Sequence, residues 1–432
     1  MAGSPEELLS VAEQQRVIQD LSRVLQESYL YPAKAEEMSH SLARFATEAL
    51  DQPLDAHELA SRLTKQLYEL SRDLHFFVEV DPEWIAQKRL EDDPESARQL
   101  RQTELRQAQR QNFSLQEVRL LEGNVGYLNL TAFGEPEHGS KTLASAMSFL
   151  AHCDSYIVDL RNNNGGYLEM AQLLASYFFA GDAEQMLFDY YYFEDGERIE
   201  RQQWVLPSVP GEKRPEAPLY ILVSSTSFSA AEWFAFVLGE VGRATVVGEV
   251  TAGGAHPVDR KIVDDRFVVN VPIGQIRGPG GEEDFEGEGI QPQVSVSAAE
   301  ALNVAHRLAV EELMARRPEA VAEYRWLLPV LEARRRPVEL DPQRLAALTG
   351  EYGDRRLSTE DGVLYYSWDG KTKIRLTPLS ESLLALEGVQ DFRFRVVEEG
   401  GEVVALERIH SDGRTSSRRN KTSTESPSAH AG

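Results

Sequence analysis

Three short stretches of the chain hold the residue types that hydrolytic chemistry uses. In Val223-Ser-Ser-Thr-Ser-Phe-Ser-Ala-Ala-Glu-Trp-Phe an apolar run leads through a Ser-rich turn into a helix-forming segment, which puts Ser229 at a strand-to-helix junction. The first N–H groups of a helix lack intrahelical acceptors and face any anion that develops there, which suits a nucleophile. The same pattern equally describes an ordinary N-cap by Ser227 or Ser229 with Glu232 closing a capping box, and the two roles are compatible. Asp159-Leu-Arg-Asn-Asn-Asn-Gly-Gly-Tyr also follows an apolar run. Gly165 and Gly166 allow the close backbone approach that an oxyanion hole needs, although an Asn/Gly turn reads the same way. Phe285-Glu-Gly-Glu-Gly-Ile-Gln-Pro is an acidic, Gly-rich stretch. It is a solvated loop by default, or, if folded over the core, the source of a carboxylate that orients a histidine.

Histidine supplies the base. His75 lies in Ser71-Arg-Asp-Leu-His-Phe-Phe and His256 in Thr251-Ala-Gly-Gly-Ala-His-Pro, while His138 and His152 have no supporting context. Both candidates stay open at this point, because a lone histidine is more often structural than catalytic. No His, Asp or Glu pair has a metal-ligand spacing, so neither a metal nor another cofactor is expected. The glycine pair is followed by no Gly-Lys-Ser/Thr, which excludes a phosphate loop.

The elements that must position these groups are legible in the hydropathy pattern. Ser4 and Glu7 form a capping box with Pro5 at the first helical position, and apolar residues then recur at helical spacing from Leu8 to Leu25. Further helices are predicted over Pro32–Leu50 and Ala56–Leu70, giving a helical bundle over 1–78, followed by a Gln/Arg/Glu-rich helical arm or linker over 79–114. From 115 to 335 short apolar runs alternate with helical stretches over Lys141–Leu150, Leu168–Phe178 and Ala230–Leu238, which implies βαβ units and a largely parallel sheet. Turn signals at Asp361-Gly362, Asp369-Gly370, Gly400-Gly401 and Asp412-Gly413 predict a small antiparallel β domain over 345–412, and the Ser/Thr/Asn-rich tail over 415–432 reads as disordered.

Composition narrows the function classes. The formal net charge of -25 works against nucleic-acid and anionic-membrane partners, and no basic stripe is present. No apolar run approaches the roughly 18 residues of a membrane span. A single cysteine, Cys153, precludes an intrachain disulfide framework. The N-terminus has no basic and apolar export signal, so compartment and homo-oligomeric state are left open.

Taken in order, Asp159-Leu-Arg-Asn-Asn-Asn-Gly-Gly, Thr226-Ser-Phe-Ser-Ala-Ala-Glu, Gly248-Glu-Val-Thr-Ala-Gly-Gly-Ala-His-Pro and Glu286-Gly-Glu-Gly-Ile-Gln-Pro resemble peptidase family S41. The family includes tail-specific (carboxy-terminal processing) proteases, the tricorn core protease and interphotoreceptor retinoid-binding protein repeats, and the last branch is the most similar. The resemblance implies a crotonase-like α/β core and a serine peptidase acting on peptides or on unfolded or C-terminal protein segments, in a periplasmic, secreted or cytoplasmic setting. It implies Ser229 as nucleophile, His75 as base and Glu286 as its orienting carboxylate, with Ala230 and Gly165 or Gly166 forming the oxyanion hole. His256 is the alternative base. The lysine of the processing proteases' Ser–Lys dyad falls on Gly254, so that dyad is absent. Leu74, Phe76 and Gln293 depart from the family pattern, and the segment between Val80 and Val118 is too short for a PDZ domain. A non-catalytic carrier of retinoid-like or fatty-acid ligands is the alternative function on the same scaffold.

Overall fold

The structure, a computed structural model, describes residues 8–91, 93–194, 197–281 and 284–422. It divides into two compact units, residues 1–120 with 126–301, and residues 121–125 with 302–432.

The first unit opens with the helices Val11–Ser28, Pro32–Glu48 and Ala56–Ser71. The capping box expected at Ser4 and Glu7 lies outside the described residues. The helix that is described begins later, where Ser10 N–H donates to Glu13 at 2.8 Å and Ser10 Oγ accepts from Glu13 N–H at 3.3 Å. Val17, Ile18, Leu21, Val24 and Leu25 form its buried stripe, as the 3.6-residue period requires, whereas Leu8 stays exposed. The bundle closes against the antiparallel sheet Phe77–Val80, Phe267–Pro272 and Val258–Ile262, whose Val78, Phe267, Val269 and Val271 join the same apolar cluster. That sheet ties residues just after His75 to residues just after His256. The helices Pro82–Leu90 and Pro94–Arg110 follow.

The α/β core with a largely parallel sheet expected from the sequence is present. Its sheet has the strand order Val294–Ser295, Thr245–Gly248, Leu219–Val223, Ser155–Asp159, Val125–Leu130, Leu115–Leu121. The first three neighbouring pairs in that order are parallel. Ser155–Asp159 and Leu219–Val223 are buried along their whole length, which explains their unbroken apolar runs. Helices Pro136–Phe149, Leu168–Ser176 and Ala230–Glu240 are interleaved with the strands. A second antiparallel sheet, Met186–Glu194 with Glu197–Trp204 and Gly274–Arg277, was not legible as a sheet. Met186–Glu194 is rich in apolar and aromatic residues, but its partner Glu197–Trp204 is mostly polar and gives no apolar run to mark a second strand.

The second unit contains Val321–Arg335, Pro342–Leu348 and an eight-stranded antiparallel sheet from Gly350–Tyr352 to Thr415–Asn420, with every strand paired to its sequence neighbours. The ends meet. Tyr352 bridges Lys421, and Thr422 N–H donates to Glu351 O at 2.9 Å, so the sheet is barrel-like. Leu348, Tyr352, Leu357, Leu364, Leu384, Phe394 and Leu406 fill its interior. Thr415–Asn420, read above as disordered, is a strand paired to Glu402–His410, because the turn at Asp412-Gly413 folds the polar tail back onto an existing edge. The remainder of that tail, 423–432, lies outside the described residues.

Candidate active site

The serine side is built by backbone. Strand Leu219–Val223 ends in a turn whose hydroxyls are fastened to the neighbouring strand's exit. Ser227 Oγ donates to Leu160 O at 2.7 Å and Thr226 Oγ1 donates to Arg161 O at 2.9 Å. Ser224 Oγ also donates to Arg161 O. Phe228 N–H donates to Asn163 O at 3.0 Å. Arg161 is itself held by the buried Asp159, which also accepts from Tyr127 Oη at 2.6 Å. Ser227 is therefore structural, and the turn delivers Ser229 to the N-terminus of helix Ala230–Glu240 with φ 55° and ψ -124°. A left-handed φ is costly for a residue with a Cβ and is found where the surrounding structure enforces it.

Glu232, wholly buried in the first turn of that helix, gathers the N–H groups of Ser229, Gly253 and Gly254 at 2.9, 2.7 and 2.8 Å and the hydroxyl of Thr251. Burial pushes its carboxyl up even though the four donors pull the other way. The N-cap role weighed for Ser229 thus exists through its N–H, and Glu232 fastens the 251–254 loop to the serine.

Gly165 and Gly166 have φ of +96° and +123°. A Cβ at Gly165 would stand 2.7 Å from Ser229 Cβ and 3.1 Å from Ala230 N, so the glycine turn lies directly against the serine. A Cβ at Gly166 would overlap Phe133 O at 2.2 Å. Ala230 N–H, the first of its helix, has no intrahelical acceptor. Gly165 N–H is taken by Asn163 Oδ1 at 2.8 Å, whereas Gly166 N–H has no acceptor among the described residues.

The histidine side is built by charge. His75 is nearly enclosed, its side chain 4% exposed. Its Nδ1 lies 3.3 Å from Asp73 Oδ1 and 3.6 Å from Glu286 Oε2, but neither approach is aligned as a hydrogen bond, and Nε2 has no partner among the described residues. The ring packs on Phe228, the residue before Ser229, with centroids 4.6 Å apart. The structure thus brings His75 to the serine turn without forming a hydrogen bond to Ser229. Burial disfavours the imidazolium, but the carboxylates of Asp73 and Glu286 outweigh it and lift His75 above the usual imidazole range.

His256 is differently placed. Its Nδ1 bonds Asp73 Oδ2 at 2.6 Å and lies 3.5 Å from Glu286, while Nε2 lies 3.2 Å from Asp284 Oδ2. Against its burial, the surrounding carboxylates push it up to about 10, and Asp73 falls well below the ordinary carboxylate range as their counterpart. A raised proton affinity favours the imidazolium at neutral pH, which works against His256 as the base. Glu286 bridges the two histidine segments through backbone, accepting from Ala255 N–H at 2.6 Å, His256 N–H at 3.1 Å and Leu74 N–H at 3.4 Å. Asp73, His75 and Glu286 also each offer a ligand-type atom within 4.8 Å of the others. The His256 ring lies against two of the three, Asp73 and Glu286, and as an imidazolium offsets part of their charge.

Gly254 stands where the processing proteases carry their lysine. Here a Cβ would meet the Phe228 ring at 2.1 Å, so the ring fills the space in which such a side chain would start. Asp73, Asp284 and Phe228 were not singled out in the sequence. An acid two residues before His75 and another two before Glu286 were the available signals.

Residues 124–296 match the model of peptidase family S41, and residues 6–113 match that of the N-terminal domain of family S41 peptidases in eukaryotic IRBP. The carboxy-terminal processing protease CtpA of Bacillus subtilis is 28% identical over 175 residues, which are 40% of this chain and 35% of that protein. The chloroplastic carboxyl-terminal-processing peptidase 3 of Arabidopsis thaliana is 31% identical over 178 residues, 39% of this chain and 31% of that protein. The chain thus spans about a third of the length of these curated relatives. Among solved structures, a putative peptidase from Parabacteroides merdae aligns with a TM-score of 0.49 and 17% identity, covering 68% of this chain and 96% of that one. No helix among the described residues is long and apolar enough to cross a membrane.

Proposed function

The chain belongs to peptidase family S41, and we propose that it is a serine peptidase hydrolysing peptides or unfolded and C-terminal protein segments, as the names of its relatives suggest. The observation that carries this reading is the convergence of Gly165 on Ser229, 2.7 Å from a glycine-only position to the serine Cβ, at a helix N-terminus. Ser229 Oγ attacks the scissile carbonyl while His75 takes its proton through Nε2. The tetrahedral oxyanion forms against the N–H of Ala230 and of the Gly165–Gly166 turn, Gly166 N–H being the uncommitted donor. His75 then protonates the leaving amine, water enters, and the same histidine activates it to release the acyl group. Glu286, the match to the family's orienting carboxylate, stabilises the imidazolium formed on the way. The missing Ser229–His75 hydrogen bond is the contact substrate has to complete, since such bonds tighten in the Michaelis complex. Nothing in this charged, histidine-bearing site favours the apolar-ligand carrier.

The test is labelling by a fluorophosphonate probe together with hydrolysis of an unfolded protein. The wild type should do both, and Ser229→Ala, folded by circular dichroism, should do neither. Undiminished hydrolysis by Ser229→Ala removes this mechanism.

A further inference from the structure

Glu286 is not the carboxylate best placed to steer His75. Its Oε2 is already shared between Ala255 and His256 N–H groups, and it stands 3.6 Å from the imidazole. Asp73 stands at 3.3 Å, two residues away on the same turn, and accepts His75's own N–H at 2.9 Å, so backbone and ring are registered to one carboxylate oxygen. Its other oxygen bonds His256 at 2.6 Å, and His256 has Asp284 Oδ2 3.2 Å from its far nitrogen, not aligned as a hydrogen bond, and Tyr31 edge-on against its ring. Asp73 is thus anchored by His256 through one oxygen, and its other oxygen faces His75.

Resting on the peptidase reading above, we propose that Asp73 is the positioning residue for the base, and that His256, clamped between Asp73 and Asp284, is the fixed cation that offsets the acids around it. Three carboxylates, Asp73, Glu286 and Asp284, and two histidines share this buried cluster. The phenols of Tyr29 and Tyr31, both pushed up chiefly by burial, add no charge at neutral pH. A general base must be neutral at its working pH. Were His256 uncharged, the three acids would hold His75 protonated to higher pH. Were Asp73 neutral, His75 would lose both its orientation and part of what raises its basicity. The two residues therefore push the base in opposite directions, which a merely structural pair does not do.

The experiment is the pH dependence of fluorophosphonate labelling rate in the full chain, for the wild type, Asp73→Asn, His256→Gln, Glu286→Gln and Ser229→Ala. Asp73→Asn should label at least about tenfold more slowly at its plateau, with the acidic midpoint about one pH unit or more lower. His256→Gln should retain labelling with the midpoint shifted upward. An Asp73→Asn rate within about twofold of wild type at an unmoved midpoint overturns the proposal, as does a His256→Gln midpoint that stays or falls. Should Asp73→Asn fail to fold, the direction of the His256→Gln shift decides. A wild type that does not label, or a Ser229→Ala that does, strikes the peptidase reading instead, so the two failures are distinguishable.

Discussion

The serine half of the site is held by backbone groups and hydroxyls, whereas the histidine half is held by carboxylates from segments around residues 73 and 285 that converge on His75 and His256. The first half is assembled locally: the exits of two adjacent parallel strands exchange hydrogen bonds, and one buried acid, Glu232, ties in the loop that follows. The second depends on the sheet that joins Phe77–Val80 to Phe267–Pro272 and Val258–Ile262, because that pairing carries Asp73 and His256 into contact. A nucleophile needs a rigid direction and nearby dipoles, which backbone supplies irrespective of pH. A base needs a tuned proton affinity, which here is set by neighbouring charges working against burial.

The largest expected break between the halves is in pH. His256 is raised in the fold to about 10 from an ordinary value near 6.5. Its contribution is therefore full below about 6.5 and lost as pH rises through 10, on the order of several kcal/mol. Melting temperature should fall across that window in the wild type, and the fall should flatten in His256→Gln. A flat wild-type profile would erase the contrast. Next, Gly165→Ala forces a Cβ onto Ser229, and turnover should drop by about a hundredfold, the scale of a lost oxyanion donor, with little change in pH midpoint. A shifted midpoint would show the halves to be coupled. Gly254→Ala should destabilise the fold by about 1–3 kcal/mol through collision with Phe228, and Phe228→Ala in the same chain should recover part of it, read by denaturant midpoint. Smallest is Ser229→Gly, which relieves the left-handed φ and should stabilise the protein by about 1 kcal/mol while abolishing labelling.

The serine half could be read from sequence because its signals are contiguous: an apolar strand, a hydroxyl-rich turn, a helix, and a glycine pair after the neighbouring strand. The order of helices and core strands followed from periodicity for the same reason. The histidine half was only partly legible. His75, His256 and Glu286 were each nameable, but their division of labour turns on a nonlocal sheet between residues 77–80, 258–262 and 267–272 whose strands are short and mixed in polarity. Asp73 looked like one acid among many until that sheet set it between two imidazoles. The strand Thr415–Asn420 escaped for a related reason, since a polar edge strand carries no apolar signature and is defined by what it pairs with.

The contact between Phe228 and Gly254 has an evolutionary consequence. With the ring in place, no single substitution can trade the proposed histidine mechanism for a lysine one, because any side chain at 254 begins inside the ring. Shrinking residue 228 first would in turn remove the surface on which His75 rests. Each step toward the other chemistry is disfavoured until the other has been taken. The pair acts as an epistatic lock, and a lineage carrying it is channelled toward refining its histidine.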